Sequence, residues 1–334
     1  MSTAPRPVSE LVTVALPVLD GAGVLEATLA AVRSQRLAPG VSIELLVCDS
    51  GSRDRSAAIA RRFDAQVIEI ARESFSHGGT RNLLMERSHG AHVAFLTQDS
   101  VPHDEHWLAQ MLGGFSLAGD VSLVFGPYLP RPGASPMVAR EIMEWFCSFS
   151  PEQVPRIDRL APAERGLPAR ALLGARGFFT DANGAVARAA WESVPFRPVS
   201  YAEDHVLAHD MLRAGYAKAY LPDAGVVHSH DYSGWSWMAR SFDEARALHE
   251  VYGLCEPLQV RRLGLSIWGR VGADWRWTRA QRGLAADRLR IGELSLLARS
   301  TRHHALRTLG SSLGARAGRM PAPLVRLLSR EGRG

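Results

Sequence analysis

Four stretches of this 334-residue chain place acids or a guanidinium where an apolar run stops. Asp20 follows LVTVALPVL (11–19), Asp49 closes IELLVCD (43–49), and Gln98-Asp99-Ser100 follows AHVAFL (91–96). Arg81 lies one turn into a helix expected to open at Ser76-His-Gly-Gly-Thr. A carboxylate at a strand end can accept hydrogen bonds from a nucleobase or a ribose. An aspartate behind a buried strand is costly without a cation, a set of donors or water. Helix starts and guanidinium groups both favour phosphate. Together these residues describe a site for a metal and an anionic ligand. Each also has a plainer reading, since Asp and Ser are ordinary helix caps and a glycine turn can carry a surface arginine.

Further along, Glu203-Asp204 opens a helix-like stretch, AEDHVLAHDMLRAG (202–215). The pair either favours the helix dipole or holds a general base near a hydroxyl, and spacing does not separate the two. His228-Ser-His230 offers imidazoles that can bind a divalent metal or simply be solvated. His205 and His209 lack the Glu of an HExxH zinc site and read as a helix face. Gly21-Ala-Gly23 imitates a dinucleotide fingerprint, but Glu26 occupies the place of the third glycine and would repel a pyrophosphate.

The elements that must position these residues alternate. Strands are expected at 11–19, 43–49, 65–70 and 91–96, with helices through Val32, over Asp54–Phe63 and around Arg81–Met85. That alternation makes an α/β layered domain with a mostly parallel sheet, and such sheets bind ligands beyond the carboxyl ends of their strands. After Phe115 the pattern loosens into a strand at 121–130, a Pro-rich stretch around a helix at Val138–Phe149, and helical residues 234–256. Short helices are expected from 257 onward.

Composition narrows the class. At 46% hydrophobic and 22% charged the chain is globular, and three scattered cysteines exclude a disulfide scaffold and a four-Cys zinc site. The N-terminal residues do not read as a signal peptide, and no run approaches the roughly 18 apolar residues that span a bilayer. A cytoplasmic protein is expected. The charge is uneven. From Pro257 onward there are sixteen arginines and no lysine against four acids, a net of +12, which leaves −7 for the first 256 residues. Such a tail could meet nucleic acid, a membrane face or an acidic partner.

Taken in order, seven segments resemble the family 2 glycosyltransferases, most of all their bacterial rhamnosyltransferase-like branch. They are VTVALPVLDGAGVLEATLAAVRSQ, LLVCDSGSRDRS, FSHGGTRN, VAFLTQDSVPHDEHWL, FFTDANGAVARAAWESVPF, YAEDHVLAHDMLRAGY and VVHSHDYS. The resemblance implies a GT-A type nucleotide-sugar-binding fold over 11–250, split into a nucleotide-binding half (11–115) and an acceptor and catalytic half (116–250). A disordered N-terminus (1–10) would precede it, and a basic helical extension (251–334) would follow. It implies that Pro17, Asp20, Asp49, Ser52, Arg81, Gln98 and Asp99 hold the nucleotide sugar and that Asp99 and His228 bind Mg or Mn. Asp204 becomes the catalytic base, and Asp181, Asn183 and Glu203 border the acceptor and donor sugar. The implied reaction is inverting transfer from a nucleotide diphosphate sugar, best matched by dTDP-L-rhamnose, to a saccharide or lipid-linked saccharide of the cell envelope. UDP- or GDP-sugars are the alternative donors. Trp275-Arg-Trp277 lacks the preceding glutamine of the QxxRW motif found in processive members, so a single addition is expected.

Two readings of other classes compete: a metal-dependent phosphoesterase using Asp99, His103, His106 and the histidines at 228 and 230, and an inactive binding module. The tail interleaves Arg with Trp, Leu and Val over Trp268–Trp277 and Leu313–Leu328, as an interfacial helix does. Peripheral contact with an anionic membrane is therefore expected of it, rather than nucleic acid.

Overall fold

The computed structural model describes residues 10–199, 201–232, 234–254, 260–283 and 291–330. The expected disordered N-terminus lies outside these residues except for Glu10, which opens the first strand. Backbone contacts divide the chain into two units, residues up to 129 with 145–228, and residues 130–144 with 229–334.

The first unit begins with β1 (Glu10–Val18), α1 (Leu25–Arg33), β2 (Val41–Asp49), α2 (Ser56–Arg62), β3 (Gln66–Glu69), α3 (His77–Arg87) and β4 (His92–Leu96). It continues through β5 (Val101–Pro102), α4 (Trp107–Phe115), β6 (Val121–Phe125) and β7 (Tyr128–Leu129). The next helix, α5 (Pro136–Cys147), begins among residues of the second unit and ends in the first. β8 (Arg156–Asp158), β9 (Asn183–Ala187), α6 (Arg188–Ser193), α7 (Glu203–Ala214), β10 (Ala217–Tyr220) and β11 (Val226–Val227) complete it.

One sheet runs β3-β2-β1-β4-β9-β6-β10-β8, and the pairs among β3, β2, β1 and β4 are parallel. Only β9 and β8 oppose the other strands. The fold is α/β with a mostly parallel sheet, as the alternation predicts. Both faces of the inner strands are covered, so they read as unbroken apolar runs. Val12, Val14 and Leu16 of β1 and Leu45 and Val47 of β2 are buried in one core. Leu25, Leu29 and Val32 of α1, at helical spacing, pack on it. From β1 the chain steps to β2 on one side and later returns to β4 on the other. The crevice at that switch point is where such sheets bind ligands.

The second unit comprises the start of α5 with α8 (Gly234–Tyr252), α9 (Val260–Gln281), α10 (Leu294–Gly314) and α11 (Ala322–Leu328). The tail does not consist of short helices only, because α9 and α10 run 22 and 21 residues. Its glycines make a helix contact instead of breaking the helix. A Cβ on Gly310 would lie 2.2 Å from the Met238 carbonyl oxygen, and one on Gly314 would lie 2.0 Å from that of Phe242. Their absence lets α10 lie against the backbone of α8. This is why the helical unit begins near Ser229 and not at 251.

Candidate active site

At the carboxyl end of β1 and β2 two loops are stitched together. The Asp20 and Gly21 amides donate to the hydroxyls of Ser52 (2.9 Å) and Ser56 (2.8 Å). The Ala22 amide donates to Asp54 (2.9 Å), while Asp20 accepts from the Arg53 amide at 2.8 Å. Asp20 takes φ +46°, a left-handed conformation that costs a non-glycine residue of the order of 1 kcal/mol and recurs at functional sites. Gln98 belongs to the same knot, its Oε1 accepting from the Leu19 amide at 2.9 Å. A Cβ on Gly21 would sit 2.7 Å from that oxygen. Pro17 lies inside β1, paired with Cys48.

Asp49 is buried. Its Oδ1 accepts from the amides of Gly51 (3.0 Å) and Ser52 (2.8 Å). Its Oδ2 is buried with no hydrogen-bond partner among the described residues. A buried acceptor left without a donor costs about 1–3 kcal/mol, so this oxygen is suited to a donor brought by a ligand.

At the end of β4, Asp99 Oδ1 accepts from the Thr97 hydroxyl at 3.0 Å and stands 3.5 Å from His228 Nδ1. The Ser100 hydroxyl lies 2.6 Å from that of Thr97 and 3.1 Å from the same imidazole nitrogen. β11 delivers His228, whose amide donates to the Leu129 carbonyl. Sequence reasoning named Asp99 and His228 but missed the two hydroxyls, which the pattern Thr97-Gln-Asp-Ser100 does contain. His230 belongs to the second unit, where it stacks on Tyr232 at 5.0 Å.

Arg81 is put to a use other than the diphosphate expected for it. It is buried, its Nε and Nη2 face both oxygens of Asp181, and its Nη1 lies 3.0 Å from Glu203 Oε1. His77, which sequence reasoning did not place in the site, stands 3.8 Å from the same Glu203 oxygen. The glycines before Arg81 also serve packing. A Cβ on Gly78 would lie 2.6 Å from the Arg197 carbonyl oxygen, and Gly79 donates to the Ser76 cap. Three carboxyls surround this single guanidinium, and the surplus charge is felt unequally. Burial drives Asp181 well above the usual carboxylate range, against the pull of Arg81. Burial also raises Glu203, but Arg81, His77 and a hydrogen bond with Asp181 together outweigh it and hold that carboxyl below its ordinary value. Asp204 is raised, by burial first and by Glu203 beside it, partly opposed by His205. It stands at the start of α7 after Ala202, which takes φ +61°, and accepts from the His205 amide at 2.8 Å.

Asn183 differs from its expected place beside a sugar. It is fully buried, accepting from Trp107 Nε1 (2.8 Å) and donating to the carbonyls of Pro127 (3.0 Å) and Ala224 (2.9 Å). Every donor and acceptor of its amide is spent within the core.

Residues 13–157 match the family model described as glycosyl transferase family 2. The chain carries a family 2 glycosyltransferase domain. The glycosyltransferase is 28% identical over 277 residues to an O-antigen chain rhamnosyltransferase of Salmonella typhimurium, covering 81% of this chain and 80% of that one. It is 29% identical over 244 residues to the O-antigen chain rhamnosyltransferase of Salmonella anatum, covering 71% and 70%. The fold resembles that of a mannosyltransferase of Pyrobaculum calidifontis solved with GDP-Man and Mn2+. That likeness has a TM-score of 0.56 at 17% identity, over 95% of this chain and 90% of the other. The glycosyltransferase therefore has a GT-A-like fold.

Proposed function

We propose that this glycosyltransferase is an inverting, non-processive enzyme that moves L-rhamnose from dTDP-L-rhamnose to a saccharide or lipid-linked saccharide acceptor of the cell envelope. The observation that carries a nucleotide donor is Asp49 Oδ2, buried at the switch point without a donor. A nucleobase or ribose N–H or O–H meets that need, and Asp20, Ser52 and Gln98 frame the same loops. The two Salmonella relatives, both rhamnosyltransferases, support the sugar.

Asp99 and His228 fit a divalent cation such as Mg or Mn. They supply a carboxylate oxygen and an imidazole nitrogen 3.5 Å apart, each side chain 13% exposed, at the sheet edge where a diphosphate would lie. When bound, the cation offsets negative charge on the departing diphosphate. Asp204 accepts the proton of the acceptor hydroxyl, and its raised pKa makes it a stronger base than an exposed carboxylate. The hydroxyl attacks the anomeric carbon from the face opposite the diphosphate, so one displacement inverts the configuration. Arg81 fixes Glu203 and Asp181 beside that base, so its role is positional. In the second unit, Leu265 and Trp268 of α9 are 68% and 64% exposed and fit contact with an anionic membrane at the cytoplasmic face.

Thermal stabilisation tests the nucleotide reading. dTDP with Mn should raise Tm by several degrees, as a ligand at 100 times its Kd adds about 2.7 kcal/mol. Stabilisation by DNA or RNA instead would favour the phosphoesterase reading.

A further inference from the structure

The helical unit holds a buried group of titratable side chains that the transfer chemistry does not use. Glu141 comes from α5, Asp274 from α9, and His303 and His304 from α10. His303 Nε2 and His304 Nδ1 are buried without a hydrogen-bond partner among the described residues. Each faces the same carboxylate: His304 Nδ1 is 3.6 Å from Glu141 Oε1, and His303 Nε2 is 3.6 Å from Glu141 Oε2. Those gaps are too long for hydrogen bonds, which close at about 2.7–3.2 Å. They suit ligands of one ion, because two atoms each about 2.0–2.1 Å from a tetrahedral metal stand about 3.4 Å apart. One ligand atom from each of the three residues falls within a 4.8 Å set.

The surroundings are those of a metal ligand. The other nitrogen of His304, Nε2, lies 2.8 Å from Asp274 Oδ2. Asp274 also accepts from Arg140 Nε (2.6 Å) and the Ser300 hydroxyl (2.5 Å). The contact with Asp274 fixes the His304 ring and turns Nδ1 toward Glu141. Two buried imidazole nitrogens then face one carboxylate across gaps that no hydrogen bond closes, an arrangement that suits a cation. Carboxylate–histidine pairs of this kind orient metal ligands, and ligating carboxylates are themselves hydrogen-bonded. Arg307 plays that second part at Glu141 Oε2.

We propose that Glu141, His303 and His304 bind one divalent ion of the zinc class, which clamps α5 to α10 within the helical unit. Two imidazoles and a carboxylate are the donor set that zinc and cobalt favour over magnesium.

The test uses the full chain, stripped with EDTA and titrated with Co(II), with visible absorption and stoichiometry as readouts. One Co(II) per chain displaced by Zn(II) is expected, retained in Asp99→Ala and lost in both Glu141→Gln and His303→Gln when circular dichroism shows them folded. No stoichiometric binding by the parent chain overturns the proposal, as does binding kept in either cluster variant or lost in Asp99→Ala. Should a cluster variant not fold, zinc-edge X-ray absorption on the parent chain decides. Two imidazoles per zinc support the site, and one or none overturns it.

Discussion

The proposed chemistry turns on Asp204 and on the residues that set its charge. Asp204→Asn should leave dTDP binding within about twofold while transfer falls by 10²-fold or more, the range for loss of a general base; parallel calorimetry and turnover assays measure both. Because Asp204 must be ionised to accept a proton, and burial and Glu203 raise its pKa, kcat/KM should fall on the acid side at a pH above the ordinary aspartate value of about 3.9. Glu203→Gln removes a neighbouring negative charge, so that acid limb should move to lower pH; a limb that stays or rises would contradict the coupling. Arg81→Met should destabilise by about 3–5 kcal/mol in denaturant titrations, since it leaves Asp181 and Glu203 buried without their cation. The places of Asp49 and Asp99 at strand ends were legible from the apolar runs before them. The roles of Arg81 and Asn183 were not, because a motif reports residue type and order while burial decides whether a side chain has donors left to offer. Arg81 is consumed by an acid 100 residues away, and Asn183 by Trp107 and two carbonyls.

At the scale of elements, the places of β1 to β4 and most helix bounds followed from period and punctuation, since inner strands are unbroken apolar runs bounded by Asp, Ser and Gly. What escaped was pairing across the sheet. Lys218 is the sole lysine of the sequence. It is fully buried on β10, 2.8 Å from Asp158 on the antiparallel neighbour β8. Lys218→Met should therefore cost about 3–5 kcal/mol by leaving Asp158 short of its partner, read from urea unfolding. The length of the tail helices escaped for a related reason: glycine lowers helix propensity by about 1 kcal/mol per residue, yet Gly310 and Gly314 are where α10 meets α8. Gly310→Ala should lower Tm by several degrees, because the added methyl meets a backbone carbonyl that cannot move aside.

For the whole molecule, the charge asymmetry of the sequence describes two units, although the second recruits residues 130–144 and 229–256 from outside the tail. Its +12 overstates the cationic surface, because Arg307 is paired with Glu141, an acid from outside the tail. Among the described residues no helix is long and apolar enough to cross a membrane. The proposed peripheral contact then rests on exposed Leu265 and Trp268, and replacing both with serine should reduce flotation of the full chain with anionic vesicles severalfold. The central claim is sugar transfer from a nucleotide donor with Asp204 as base. It is tested most directly by nucleoside diphosphate release from a panel of dTDP-, UDP- and GDP-sugars with Mg or Mn. Release is expected, fastest with dTDP-L-rhamnose and abolished in Asp204→Asn; no release from any donor, or undiminished release by Asp204→Asn, would contradict it.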